Sequence, residues 1–170
     1  MQASDRAHKE YSMAPDDEDL DDDVITQPRQ REYVVHVEDD DDLRMLCGEI
    51  LDEAGFDVLS CPTLTAGRTA IQARVPDVLL IDQDLPDGSG LELVRWLRSD
   101  PAHARVQVIV FSAKRGRADI ERALATGCDA FLGKPCLPEV LVETLETMVR
   151  PAPESGPQLT SLGRESLPAP

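Results

Sequence analysis

The sequence predicts an α/β fold: a doubly wound, five-stranded parallel sheet covered by helices on both faces. Three observations predict it. Short apolar stretches alternate five times with segments of helical spacing between Tyr33 and Arg150, as βα units of a parallel sheet do. One stretch, Val78-Leu79-Leu80-Ile81, is apolar without a break, which suits a strand buried on both faces. That stretch runs straight into Asp82-Gln83-Asp84 and the turn-forming Asp87-Gly88-Ser89-Gly90. Carboxylates therefore fall at a strand end, on the rim where open α/β sheets bind their ligands.

The elements follow in order. Tyr33-Val34-Val35-His36-Val37 reads as the first strand and ends in the acids Glu38 to Asp42. Leu43, Leu46, Ile50, Leu51 and Ala54 recur at helical spacing, and Gly55 stops that helix. Phe56 to Ser60 is the second strand and Leu64 to Arg74 a weaker helix, broken by Pro76. After the central strand at 78–82, Gly88 to Ser99 is helical, with Ser89 as N-cap. Val106 to Phe111 is a fourth apolar strand ending in Ser112-Ala113-Lys114. Arg117 to Thr126 is a helix ended by Gly127, and Ala130 to Gly133 a short fifth strand before Lys134-Pro135. The last helix runs from about Pro138 to Arg150 and stops at Pro151.

Outside residues 32–150 the composition changes. Residues 1–31 are acidic, with seven acids among the eight residues 16–23, and such a charge block is expected to be a disordered tail. The run lacks the Gly and Glu spacing of an EF-hand loop. Residues 151–170, rich in Pro, Ser and Gly, are expected to be a second disordered tail with no further domain. Over 170 residues the net charge is −16, which argues against nucleic acid as a direct partner, since binding phosphates needs clustered Lys and Arg. It favours a bound cation or a basic protein. Cys47, Cys61, Cys128 and Cys136 form no CxxC pair and read as small apolar residues of a reducing compartment. With no apolar leader and no stretch long enough to span a membrane, the expected location is cytoplasmic.

In a parallel sheet all strand C-termini open on one edge, so Glu38, Asp39, Asp82, Ser112 and Lys134 are expected to meet. Three carboxylates repel one another unless Lys134 or a divalent cation neutralises them, and an oxygen-rich site suits magnesium. A carboxylate beside such a cation can attack a phosphoryl group, with a hydroxyl and an ammonium binding the transferred oxygens.

At this point the stretches VVHVEDDDDLR, PDVLLIDQDLPDGSGLELVRWLR, VIVFSA and GCDAFLGKP show that residues 33–150 resemble the receiver domain of two-component response regulators. The spacing agrees as well: Asp82 lies 43 residues after Asp39, with Ser112 30 and Lys134 52 residues further on. The resemblance implies a stand-alone, CheY-like, flavodoxin-like fold with strand order 2-1-3-4-5. It implies that Asp82 is the phosphoacceptor, receiving phosphate from a histidine kinase or histidine phosphotransfer protein. Asp39 and Glu38 then serve as acidic Mg2+ ligands beside Asp82, and the backbone carbonyl of Asp84 completes the protein's ligands. Ser112 and Lys134 bind the phosphoryl group, Ser112 and Phe131 form the switch, and Pro135 follows a cis bond. Signalling is expected by contact with a downstream protein through residues 117–150, without turnover of other substrates.

Some residues depart from the family's commoner pattern. Glu38 replaces an Asp, and Phe131 has no hydroxyl for a tyrosine-type switch bond. Asp84 and Lys114 fall where the family varies and tunes dephosphorylation. His36 is expected to be a satisfied core histidine, His8 and His103 to be exposed, and Trp96 to pack. Asp40, Asp41 and Asp42 have a helix-dipole rationale. Two other readings remain at this stage. One is a phosphorylation-independent binding module. The other is a haloacid-dehalogenase-type phosphatase, suggested by Asp82-x-Asp84 but opposed by the early acid pair Glu38-Asp39.

Overall fold

The computed structural model describes residues 30–149. The expectations for the tails at 1–31 and 151–170 otherwise lie outside the described residues, although Arg31 donates to the Asp52 carboxylate at 2.7 Å. Five parallel strands form one sheet: β1 (Tyr33–Val37), β2 (Asp57–Cys61), β3 (Val78–Ile81), β6 (Gln107–Ser112) and β7 (Ala130–Gly133). Their order is β2-β1-β3-β6-β7, the order 2-1-3-4-5 once the hairpin strands β4 (Asp84–Leu85) and β5 (Gly88–Ser89) are set aside.

Strand alternation divides the core. Val35, Val37, Leu79, Ile81, Val108 and Val110 point to one face, where they meet Ile71 of α2 (Leu64–Ala73) and Leu93 and Leu97 of α3 (Gly90–Ser99). Val34, Val78, Leu80, Ile109 and Phe111 point to the other. There they meet Cys47 and Leu51 of α1 (Asp41–Glu53), and Leu141 and Leu145 of α5 (Pro138–Val149). The period of two puts one apolar set on each face, and both need a helical cover. The remaining helix, α4 (Arg117–Ala125), adds buried Ala123 to the first cluster.

Helix ends follow local chemistry. Asp40 caps α1 by accepting from Leu43 N–H at 2.8 Å, with Asp41 and Asp42 in the first turn, where acids complement the helix dipole. Thr63 caps α2 through Ala66 N–H at 3.1 Å. Gly55 and Gly127 end their helices at φ 95°, a conformation that costs glycine little.

Four expectations need correction, the last of them at His36. The helix expected from Gly88 begins at Gly90, because Gly88-Ser89 forms the second strand of the β4–β5 hairpin, whose turn is Pro86-Asp87. Ser89 occupies the N-cap position but its side chain makes no capping bond. His103, expected to be exposed, is 7% exposed at the end of a 3-10 turn (Pro101–His103) and packs against Trp96 in a tilted contact with ring centroids 5.2 Å apart. The sequence reading also missed an arginine clamp. Arg98 donates Nε to Gly127 O (2.8 Å), Nη1 to Val106 O (2.9 Å) and Nη2 to Asp129 (2.7 Å). These bonds tie α3 to the start of β6 and to the turn after α4.

His36 is in the core, 1% exposed, but it is not satisfied: neither ring nitrogen has a hydrogen-bond partner among the described residues. Burial, then the positive charges of Lys134 and Arg44, lowers its pKa to about 4. His36→Leu is therefore expected to raise unfolding stability by about 1–2 kcal/mol at pH 7, by removing buried unpaired polar atoms. The gain should widen from about pH 6.5 towards about pH 4. In that window the unfolded chain protonates His36 before the folded chain does, so the parent alone loses this stability as pH falls. Urea unfolding of both proteins at several pH values checks this; a less stable variant at pH 7 counts against it.

Candidate acidic site at the strand ends

Glu38, Asp82 and Lys134 of the candidate site are each placed by a backbone bond just beyond a strand. Glu38 N–H donates to Cys61 O (3.0 Å), Asp82 N–H to Val37 O (2.9 Å) and Lys134 N–H to Ser112 O (2.9 Å). These bonds extend the sheet's ladder by one step. They bring residues remote in sequence to one edge with little freedom in the main chain.

The side chains then converge. Lys134 Nζ donates to Glu38 Oε2 at 2.5 Å and to Asp82 Oδ2 at 2.6 Å. Ligand oxygens of Glu38, Asp39 and Asp82 lie within 4.8 Å of one another. Glu38 is 1% exposed, whereas Asp39 is exposed to solvent. Burial pushes the Glu38 carboxyl above its ordinary range, and the hydrogen bond and charge of Lys134 offset this only in part. Burial alone would lower the Lys134 ammonium, but its bonds to Asp82 and Glu38 outweigh that and hold it raised. With three carboxylates around one ammonium, the cluster keeps an excess of negative charge.

Ser112 is fully buried, and its Oγ accepts from Lys114 N–H at 3.2 Å. The β6–β7 register pairs Ser112 with Gly133 and Val110 with Phe131. Half-buried Phe131 packs on the α2–α3 side of the sheet, on the neighbouring strand and two residues below the Ser112 level. The Lys134–Pro135 bond is cis. Asp84 N–H donates to Asp82 Oδ1 at 3.3 Å.

Other participants were not legible in the sequence. The Asp84 carboxylate pairs with Lys114 Nζ at 2.6 Å, so two separately noted positions form one ion pair beside Asp82. Arg44 donates to the carbonyls of Glu38 (2.9 Å) and Asp39 (3.3 Å), fixing the backbone of the acid pair. Asp87 accepts from Leu64 N–H (2.8 Å) and from the N–H and hydroxyl of Thr65 (2.9 and 2.7 Å). The loop after Asp82 is thereby tied to the start of α2. Slight burial would raise the Asp87 carboxyl, but these bonds hold it below its ordinary range. An Asp-Gly pair signals a turn, but nothing in its spacing signals a distant helix end.

Among the described residues, no helix is long and apolar enough to cross a membrane. Cys47, Cys61 and Cys128 are buried and free, and Cys136 is half-buried and free.

Comparison with known proteins agrees with this architecture. Residues 34–146 match the family model of the response regulator receiver domain. The phosphate regulon transcriptional regulatory protein PhoB of Rhizobium meliloti is 34% identical over 116 residues, covering 68% of this chain and 51% of PhoB. The chain thus spans about half the length of that regulator. The polar-differentiation response regulator DivK of Brucella ovis is 28% identical over 114 residues, covering 66% of this chain and 93% of DivK. The structure of the chemotaxis response regulator CheY4 of Vibrio cholerae superposes with a TM-score of 0.67 at 23% identity, over 70% of this chain and 99% of CheY4. With its sheet order, its strand-end acids and the match over residues 34–146, this chain belongs to the response regulator receiver domain family.

Proposed function

We propose that the chain is a phosphorylation-activated response regulator that accepts a phosphoryl group on Asp82 and signals through protein contact. One observation carries this reading: the Asp82 carboxylate is held by Lys134 at 2.6 Å within a cluster that also contains Glu38 and Asp39. A nucleophile, a cation and two further acids at one strand edge suit phosphoryl transfer, which depends mainly on positioning and charge stabilisation.

The donor is a phosphohistidine of a histidine kinase or phosphotransfer protein. A carboxylate oxygen of Asp82 forms the new O–P bond as the P–N bond breaks, and the leaving imidazole keeps the electron pair and takes up a proton. Lys134 stabilises charge on the transferred oxygens, and the Ser112 hydroxyl turns to donate to one of them. The excess negative charge and all-oxygen donor set fit Mg2+ better than a softer metal. Glu38, Asp39, Asp82 and the Asp84 carbonyl would hold it. When bound, Mg2+ supplies a positive charge that offsets the charge of the phosphoryl oxygens.

Movement of Ser112 towards the phosphoryl group lets the Phe131 ring turn inward, altering the edge formed by α4, β7 and α5. Two states separated by only a few kcal/mol suffice for such a switch. The protein acts as a signalling module and does not turn over other substrates.

Intact mass after incubation with acetyl phosphate and Mg2+ tests the reading. The parent should gain one phosphate and Asp82→Asn none, and the Phe131 ring resonances should shift in the phosphorylated sample. An adduct that persists in Asp82→Asn rules out this acceptor. No adduct in the parent favours a phosphorylation-independent binding module, and unchanged Phe131 resonances remove that ring from the switch.

A further inference from the structure

An apolar groove of about 390 Å³ runs between α1 and the first turn of α5. Leu43, Leu46, Cys47 and Ile50 form its α1 wall, a set spaced to share one helix face. Pro138 and Leu141 form part of the opposite wall, with Lys134 and Pro135 at the end nearest the acidic site. Leu46 is 52% exposed and the adjoining Leu137 67% exposed. Nothing among the described residues covers this continuous apolar strip.

Charge decides which occupant fits. The two helices that make the groove carry eight acids and one basic residue, Arg44. A second copy docked through the same face would oppose like charges. Residues 1–29 hold nine acids and three basic residues, so they are repelled as well. Residues 150–170 are different: Arg150 and Arg164 balance Glu154 and Glu165, and Leu159, Leu162 and Leu167 supply apolar side chains.

Length agrees. The 12 residues of α5 return the chain about 18 Å away from the groove. Prolines 151, 153 and 157 favour an extended path, and the seven residues they bracket span about 22 Å at the polyproline rise. A return of that length alongside α5 brings Leu159 and Leu162 level with its first turn.

We propose that residues 159–167 of this chain dock in the apolar groove between α1 and the start of α5. Leu159 and Leu162 fill the strip beside Leu46 and Ile50. Arg164 lies towards the acids of α1. The docked segment covers the flank of Lys134 and Pro135 that faces away from Asp82.

Methyl-labelled NMR of the full chain tests this without reference to phosphorylation. Leu159 and Leu162 methyl groups should show contacts to Leu46 and Ile50 that persist on tenfold dilution. Leu159→Asp/Leu162→Asp in the full chain should abolish them and shift the Leu46 and Ile50 signals. Leu46→Asp, at an exposed position, should likewise release the segment while the sheet signals stay in place. Absent contacts overturn the proposal. So do contacts that fade on dilution, which would mean a second copy, and groove contacts made by residues 1–29.

Discussion

Lys134→Met is expected to slow phosphate adduct formation on Asp82 roughly 100- to 1,000-fold, the usual cost of removing one charge-stabilising group from a transfer site. The structure gives this substitution a second effect. Lys134 is the ammonium that pairs with both Glu38 and Asp82, and its side chain is 12% exposed. Without it, nearly inaccessible Glu38 faces Asp82 and Asp39 uncompensated. Removing one partner of a buried pair costs about 3–5 kcal/mol. The lower end, about 3 kcal/mol, applies here because Asp82 retains some solvent contact and Glu38 can protonate.

The pH dependence separates the two effects. Burial already raises the Glu38 pKa in the parent, and loss of Lys134 removes the group that opposes burial. A carboxyl with a raised folded pKa adds stability below its unfolded pKa and loses it as pH rises through the folded value. The variant should therefore recover stability relative to the parent as pH falls from 7 towards 5. Urea unfolding in EDTA at both pH values measures this, and adduct formation by mass is read where circular dichroism shows the variant folded. Equal stability of the two proteins at pH 7 would mean that Lys134 is not neutralising the cluster.

Gly90→Ala is expected to destabilise the fold by about 3 kcal/mol and to slow adduct formation by about 100-fold. A Cβ at Gly90 would lie 2.0 Å from the Asp82 carbonyl oxygen and 3.0 Å from Ile81 Cγ1. The oxygen has little room to retreat, because Asp82 N–H is bonded to Val37 O and Gly90 N–H to Gln83 O, each at 2.9 Å. Relief must come from moving α3 or the strand end that carries Asp82. Helix propensity acts in the opposite direction, favouring Ala over Gly by about 1 kcal/mol in a helix interior and less at its first residue. The overlap outweighs it. A thermal midpoint that rises in Gly90→Ala would show that propensity governs this position and that the close approach does not position Asp82.

The sheet was legible because its information is local. Val78 to Ile81 is apolar throughout, and Gly55 and Gly127 mark helix ends by a conformation that glycine adopts cheaply. The spacing of Glu38, Asp39, Asp82, Ser112 and Lys134 could be read because parallel strands share one C-terminal edge. His103 misled because two residues after Pro101 a histidine reads as a loop residue. Its burial comes from Trp96, on a helix that the local pattern does not connect to it.

By itself, then, the sequence determined the alternation of strands and helices, the two-faced apolar core and the identity of the groups gathered at the strand ends. Tertiary structure decided how those groups pair. Lys134 bridges Glu38 and Asp82, Asp84 turns to Lys114, Asp87 leaves the site to cap α2, and Gly90 rests against the Asp82 carbonyl. The division has a physical cause. Periodicity and turn chemistry act over a few residues and are written in their order, whereas charge pairing and steric contact depend on distances of a few ångströms. Those distances exist only once the chain has closed on itself.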